Sequence, residues 1–232
     1  MRPDPTTLLP FFKPRGVAVI GASSDPAKLG YGIMANLLHP KNGFPGPVYP
    51  VNPRAQEILG ARCYPDILSV PDPVDLAVLI IPAEVTPAVL EDCGKRGLKA
   101  AIIISGGFRE VGAQGVEREN IILEIARRYG MRLMGPNGIG VIDAHTPLNT
   151  TFTTGTIGAG YIDFVSQSGA LCGGILDWAL ARGLRFSRFL SIGNKVDVNE
   201  TDLLAYLGAD DLSRVITLYL EDVKDGTAWS WE

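Results

Sequence analysis

The sequence predicts an α/β protein: a Rossmann-type domain over residues 1–143, a linker over 144–160, and the first part of a flavodoxin-like domain over 161–232. Three observations carry this reading. Short β-branched apolar runs recur between Gly and Pro residues, as parallel strands covered on both faces require. Helical patterns separate them, so strand and helix alternate. The first run, Val17–Ile20, ends in Gly21, Ala22, Ser23 and Ser24, the kind of small-residue turn that opens a phosphate-binding βαβ unit.

Each element follows in order. Strands are expected at 17–20, 48–51, 76–81, 100–104 and 131–134, with helices at 29–38, 85–96 and 116–129. Pro87 falls early in the second helix, where its missing N–H does little harm. The Thr- and Gly-rich stretch 144–160 has no helical period and reads as a linker in reach of ligand. A second series has strands at 161–165, 186–192 and 215–220 and helices at 170–182 and 201–207, which makes half of a flavodoxin-like domain. Two Trp in the last four residues, Trp229 and Trp231, look unlike the end of a finished sheet. Further sequence or a partner is expected to complete the fold, and an unfinished sheet edge invites pairing, including with a second copy as a homo-oligomer.

Composition narrows the function. The chain has 232 residues, 46% hydrophobic and 20% charged, as a globular protein has. A net charge of −4 without a Lys/Arg run argues against nucleic acid as a partner. No apolar run approaches a membrane span, and residues 1–5 lead into no signal-peptide core, so the cytoplasm is the expected location. Cys63, Cys93 and Cys172 are odd in number and widely spaced; buried thiols are expected, with neither disulfides nor a metal site.

The candidate sites lie at strand ends. Gly21, Ala22, Ser23 and Ser24 let backbone amides approach a diphosphate, and the Ser hydroxyls add donors. The alternative is a tight turn with no ligand. Lys28 is either a phosphate contact or a solvated first-turn lysine. The second strand ends in Asn52, Pro53 and Arg54, without the carboxylate that an NAD ribose needs. A nucleotide with an extra ribose phosphate suits such an end, which points to coenzyme A or NADP and away from NAD. Arg54 would pair with that phosphate, or is simply a surface arginine. Ile81, Pro82 and Ala83 would line the pantetheine arm where a parallel sheet opens its crevice, or only stop the strand. Ile104, Ser105, Gly106, Gly107 and Phe108 form the next strand end; the glycines permit close approach and Phe108 offers an apolar wall. Glu110 is expected to cap or support the following helix and not to do chemistry. Ser166, Gln167, Ser168 and Gly169 combine hydroxyls, free amides and a helix dipole as a phosphate site, or form a plain helix cap.

These residues together resemble a known family. V-A-V-I-G-A-S (17–23), V-Y-P-V-N-P (48–53), L-I-I-P-A (79–83), I-S-G-G-F-R-E (104–110), G-P-N (135–137), S-Q-S-G (166–169), I-G-N-K (192–195) and L-Y-L-E (218–221) run in the order found in the nucleoside-diphosphate-forming acyl-CoA synthetases. That family includes the α-subunits of ADP-forming acetyl-CoA synthetases and of succinyl-CoA synthetases. The resemblance covers residues 8 to about 226. It implies a CoA-binding first domain and a second domain that presents a histidine for transient phosphorylation. The 104–110 loop would guide the CoA thiol, and Ser166–Gly169 would hold the phosphoryl group. Glu221 matches the glutamate that orients the phosphorylated histidine, although it also reads as an ordinary strand-end acid. Asn194 and Lys195 would border the same cleft. Neither His39 nor His145 matches the family histidine, whose position lies beyond residue 232.

The resemblance therefore implies CoA binding without turnover by this chain alone. An ATP-grasp β-type subunit or domain would bring the Mg-nucleotide. Another reading is a regulatory CoA- or ligand-binding module of a protein lysine acetyltransferase, which uses a similar ligase-like region. An NAD(P) oxidoreductase is disfavoured by the acid-free second strand and by the lack of an evident His, Lys or Tyr set for hydride transfer.

Overall fold

Strands covered on both faces must be apolar throughout, and Val17–Ile20, Leu76–Leu79 and Ala100–Ile103 are buried at every position. The computed structural model describes residues 4–155, 157–223 and 226. The first unit runs α1 (Leu9–Phe12), β1 (Val17–Ile20), α2 (Leu29–Leu37), β2 (Val48–Val51), the small hairpin β3 (Glu57–Ile58) and β4 (Ala61–Arg62), and β5 (Leu76–Leu79). It continues with α3 (Thr86–Arg96), β6 (Ala100–Ile103), α4 (Ala113–Tyr129) and β7 (Arg132–Met134). Its sheet has the order β2-β1-β5-β6-β7 with every pair parallel. The direction of winding reverses between β1 and β5, and a ligand crevice opens at the carboxyl ends of strands at such a point. Pro87 lies in the first turn of α3 as expected, and Gly97 and Gly130 end α3 and α4 in left-handed conformations.

The second unit contains β8 (Gly140–Asp143), β9 (Leu148–Asn149), β10 (Gly158–Ser166), α5 (Gly169–Ala181), β11 (Arg185–Ser191), α6 (Glu200–Gly208) and β12 (Val215–Tyr219). Its sheet has the order β12-β10-β11-β8-β9. The strands β10, β11 and β12 run parallel, whereas β8 lies antiparallel to β11 and β9 antiparallel to β8. Here the structure departs from the sequence expectation. Residues 140–143, assigned to the first domain, hydrogen-bond to β11. The stretch 144–160, expected to be a linker, contributes β9 and the start of β10 and buries Thr150 and Thr151. The two-residue β9 is too short to show a period, and the apolar run of β8 carries no local sign of which sheet edge it joins. The tail with Trp229 and Trp231 lies outside the described residues.

The two units share a core. Val17 and Val19 face one side of the first sheet, in one hydrophobic cluster with Phe12, Ile33, Val141, Val165, Leu190 and Leu203. Ala18 and Ile20 face the other side, with Leu90, Phe108, Ile122 and Ile125. Phe12 stacks on Tyr206 of α6 at 4.5 Å between ring centroids. Beside this stack lies Arg188, 0% exposed, with Nε 2.8 Å from Asp143, Nη1 3.6 Å from Asp163 and Nη2 bonded to Asp210. Its guanidinium lies 5.2 Å from the centre of the Phe12 ring.

All three cysteines are free and buried, and burial pushes the Cys93 and Cys172 thiols up to about 12. Among the described residues no helix is long and apolar enough to cross a membrane, and no group of His, Cys, Asp or Glu is arranged to hold a metal ion.

Candidate functional site at the carboxyl ends of two sheets

A cleft of about 840 Å³ separates the carboxyl ends of the two sheets. Leu29, Ile104, Arg109, Glu110 and Asn137 line it from the first unit, and Gln167, Ser168, Gly169, Asn194 and Glu221 from the second. Of the residues expected from sequence, it gathers Ile104, Gln167, Ser168, Gly169, Asn194 and Glu221.

The first-strand loop forms a separate constellation beside the Leu29 end of this cleft. Gly21 has φ +93°, and a Cβ there would sit 2.2 Å from the Ile80 carbonyl oxygen. The turn at the end of β1 therefore packs directly on the end of β5. Gly30, in the first turn of α2, packs against Gly21 so closely that a Cβ would meet its oxygen at 2.3 Å. Asn52 ties the second strand end to this loop, donating from Nδ2 to the Ala22 carbonyl at 2.9 Å and accepting from the Arg54 amide at 2.9 Å. Ser23 Oγ accepts from the Asp25 amide at 3.0 Å, so this hydroxyl also shapes its own turn. Ser24, Lys28, Pro53 and Arg54 are exposed. No side chain caps α2, which leaves its first amides open.

Burial corrects several side-chain roles. Ala22, Phe108 and Ser166 are each 0% exposed, and Ala83 is also buried. The Phe108 ring belongs to the core and is not a wall for ligand. At these positions the side chain is withdrawn from solvent. Ile81 is half-buried and Pro82 exposed; the Pro82 carbonyl accepts from Thr86 Oγ1 at 3.1 Å at the start of α3. The Ser105 carbonyl accepts from the Asn137 amide at 3.0 Å, which joins the ends of β6 and β7. Gly106 is exposed.

Glu110 lies in the short helical turn Arg109–Val111 and ties down the loop that leads into it. Its Oε1 accepts from the amides of Gly107 (2.5 Å) and Phe108 (3.1 Å), and its Oε2 from Asn194 across the cleft at 2.7 Å. Burial pushes this carboxyl up, but the hydrogen bonds from Asn194 and from the amides of Phe108, Glu110 and Gly107 outweigh it, so the group sits below its ordinary value.

On the second unit, Ser168 caps α5 by accepting from the Leu171 amide at 3.3 Å, and Ser166 Oγ donates to the Ser168 carbonyl at 2.7 Å. The amides of Gly169 and Ala170, in the first turn of α5, have no intrahelical acceptor and lie on the cleft. The Gln167 side chain is committed elsewhere. Its Oε1 accepts from the amides of Glu221 (2.9 Å) and Asp222 (3.2 Å), and its Nε2 donates to Asp222 at 2.6 Å. Lys195, 1% exposed, reaches the same turn, with Nζ 2.8 Å from the Asp222 carboxylate and 3.0 Å from Glu200. The Lys195 ammonium, and after it the Gln167 amide, holds Asp222 below the usual carboxylate range. Glu221 is exposed on this fixed turn.

Gly138 and Ile139 line the cleft without a local sequence signal, whereas Arg109 lies in the 104–110 motif and Phe152 in the stretch 144–160 expected to be in reach of ligand. Asn137 carried one in the G-P-N motif. His39 and His145 do not line it: His39 Nδ1 accepts from the Lys41 and Asn42 amides, and His145 Nε2 lies 2.9 Å from the Gly160 carbonyl.

Fold and cleft together define a two-domain α/β protein in which the strand ends of one sheet face the first turn of α5. Residues 15–144 match the CoA binding domain, and residues 159–230 match the succinyl-CoA ligase like flavodoxin domain. The chain is 44% identical over 215 residues to the ADP-forming acetate–CoA ligase I of Archaeoglobus fulgidus, covering 93% of this chain and 31% of that protein. It is 44% identical over 216 residues to the alpha subunit of ADP-forming acetate–CoA ligase II of Pyrococcus furiosus, covering 93% of this chain and 46% of that subunit. The apo structure of dinucleotide forming acetyl-coenzyme A synthetase 1 from Ca. Korarchaeum cryptofilum superposes with a TM-score of 0.90 at 42% identity, covering 94% of this chain and 47% of that one. The chain belongs to the nucleoside-diphosphate-forming acyl-CoA synthetase family, and it spans less than half the length of these relatives.

Proposed function

We propose that this chain is the CoA-binding, α-type portion of an acid–CoA ligase that forms ADP or GDP, acting in the cytoplasm. CoA would lie with its diphosphate against the amides of the 21–24 turn and the open first turn of α2, and with its ribose phosphate near Arg54. Its pantetheine arm would pass Ile81–Ala83 toward the 104–110 loop. In the reaction, a phosphate oxygen attacks the thioester carbonyl and the CoA thiolate leaves. The phosphoryl group of the acyl phosphate then passes to a histidine and on to a nucleoside diphosphate. This chain's part is to orient the thiol and to offer the Gly169 and Ala170 amides and the α5 dipole to the phosphoryl oxygens. Glu221 would orient the histidine ring. The histidine, and the ATP-grasp β-type subunit or domain with its Mg-nucleotide, would come from outside these 232 residues, so CoA binding without turnover is expected of the chain alone.

The observation that carries the reading is the cleft itself, which sets the end of β6 opposite the first turn of α5. A carrier thiol and a phosphoryl group need that juxtaposition to meet. Calorimetric titration with CoA, dephospho-CoA and NAD tests it: CoA should bind, NAD should not, and dephospho-CoA should bind more weakly. A chain that ignores CoA overturns the reading, and equal affinity for dephospho-CoA removes Arg54 from it. Ser23→Leu should weaken CoA binding by about ten-fold, the worth of one good polar contact, with a melting temperature lowered by no more than about 4 °C for the lost bond to the Asp25 amide. Gly21 is unsuited to that test, because any side chain there collides with the backbone at Ile80.

A further inference from the structure

We infer that Asn194 is a positioning residue which, from the second unit, holds the 104–110 loop in the shape that presents the CoA thiol; the thiol part of this inference rests on the CoA reading above. The Asn194 Nδ2 group donates to Glu110 Oε2 at 2.7 Å and to Glu119 Oε1 at 2.8 Å. Carboxylates only accept, so this amide must point its NH2 at the pair. Both Nδ2 hydrogens are thereby used, and Oδ1 faces Asn137 Nδ2 at 3.4 Å. Asn194 lines the cleft, yet it has no donor left for a ligand.

What it secures is the backbone. Glu110 takes the Gly107 and Phe108 amides on its other oxygen, and Glu119, 2% exposed, takes the Arg109 amide at 3.3 Å and its Nε at 2.6 Å. Three successive loop amides thus end on two carboxylates joined by one neutral amide. The pair demands a donor between them, and an aspartate in its place would instead bring a third carboxylate against the other two. Asn194 is held in turn by its amide, which donates to the Pro136 carbonyl at 2.8 Å. That approach is open because residue 193 is glycine with φ +52°, where a Cβ would meet the same oxygen at 2.1 Å.

The test compares the full chain with Asn194→Ala in two measurements. The first is the amide proton shift of Gly107 by NMR, which reads the loop without any ligand. The second is calorimetric affinity for CoA and for adenosine 3′,5′-bisphosphate, which lacks the pantetheine arm. The Gly107 amide should move, and CoA affinity should fall by about ten-fold, while the bisphosphate affinity stays within two-fold. Glu110→Ala, at an exposed position, breaks the same link from the other side and should reproduce both effects. The double variant should be no worse than the worse single one. An unmoved Gly107 amide overturns the inference, as does equal loss of both ligands. If wild-type protein binds neither ligand, the CoA reading fails; a Gly107 shift in the same variants would then support Asn194 as the holder of the loop.

Discussion

Arg188 shows how much one buried side chain holds. Its guanidinium answers Asp143 on β8, Asp163 on β10 and Asp210 after α6, while its face lies over Phe12 and Tyr206. Burial pushes the Asp163 carboxyl up, although Arg188 opposes the shift. Replacing the arginine with an apolar residue leaves these carboxylates buried against one another. Arg188→Leu is therefore expected to cost about 3–5 kcal/mol of unfolding free energy, read from urea denaturation. A loss below about 1 kcal/mol would mean that the aspartates find other partners or protonate cheaply.

The turn after β12 depends on contacts from other elements. Gln167, at the end of β10, grips the Glu221 and Asp222 amides, and Lys195, after β11, grips the Asp222 carboxylate. The three parallel strands of the second sheet thus meet at one point, and Glu221 is presented from it. Gln167→Ala should speed hydrogen exchange at the Glu221 and Asp222 amides by at least ten-fold, since two backbone donors lose their acceptor. Unchanged exchange would show that Lys195 alone fixes the turn. Ser168 remains the cap of α5 in this variant, so the helix itself should keep its protection.

Across the molecule, carboxylates fasten both the seam between the units, where Glu110 meets Asn194, and the second unit itself, where Asp222 meets Lys195 and Gln167. Asp222 and Glu110 both sit below their ordinary values in the folded chain. A group whose folded value is depressed binds protons more readily when unfolded. Its stabilisation is therefore full above the unfolded value of about 4 and is lost as pH falls through the lower folded value. Stability measured by urea unfolding should decline from about pH 5 downward, and the decline should be shallower in Asp222→Asn. An identical slope in the variant would remove Asp222 from this pH dependence. The shared core makes this coupling physical, since Val19 and Ile33 belong to the same cluster as Val165 and Leu203.

Several of these features could be read from residue order. A β-branched run before Gly21, a Ser-Gly turn before α5 and Pro87 in the first turn of α3 are signals carried by a few adjacent residues, legible even where, as for β1, the hydrogen-bonding partners are distant. The parallel strands, the Gly21 turn, the Ser166–Gly169 turn and the family all follow from such local patterns. Other features depend on where distant segments land. Phe108 looked like a wall and is core, because α4 and β6 close over it. Residues 140–143 pair with β11 and not with the first sheet, and Asn194 meets Glu110 and Glu119 across a cleft. Nothing near these residues in the chain encodes their partners. Free energy is minimised over the whole packed chain, and a short segment is satisfied by whichever edge or carboxylate that packing brings to it.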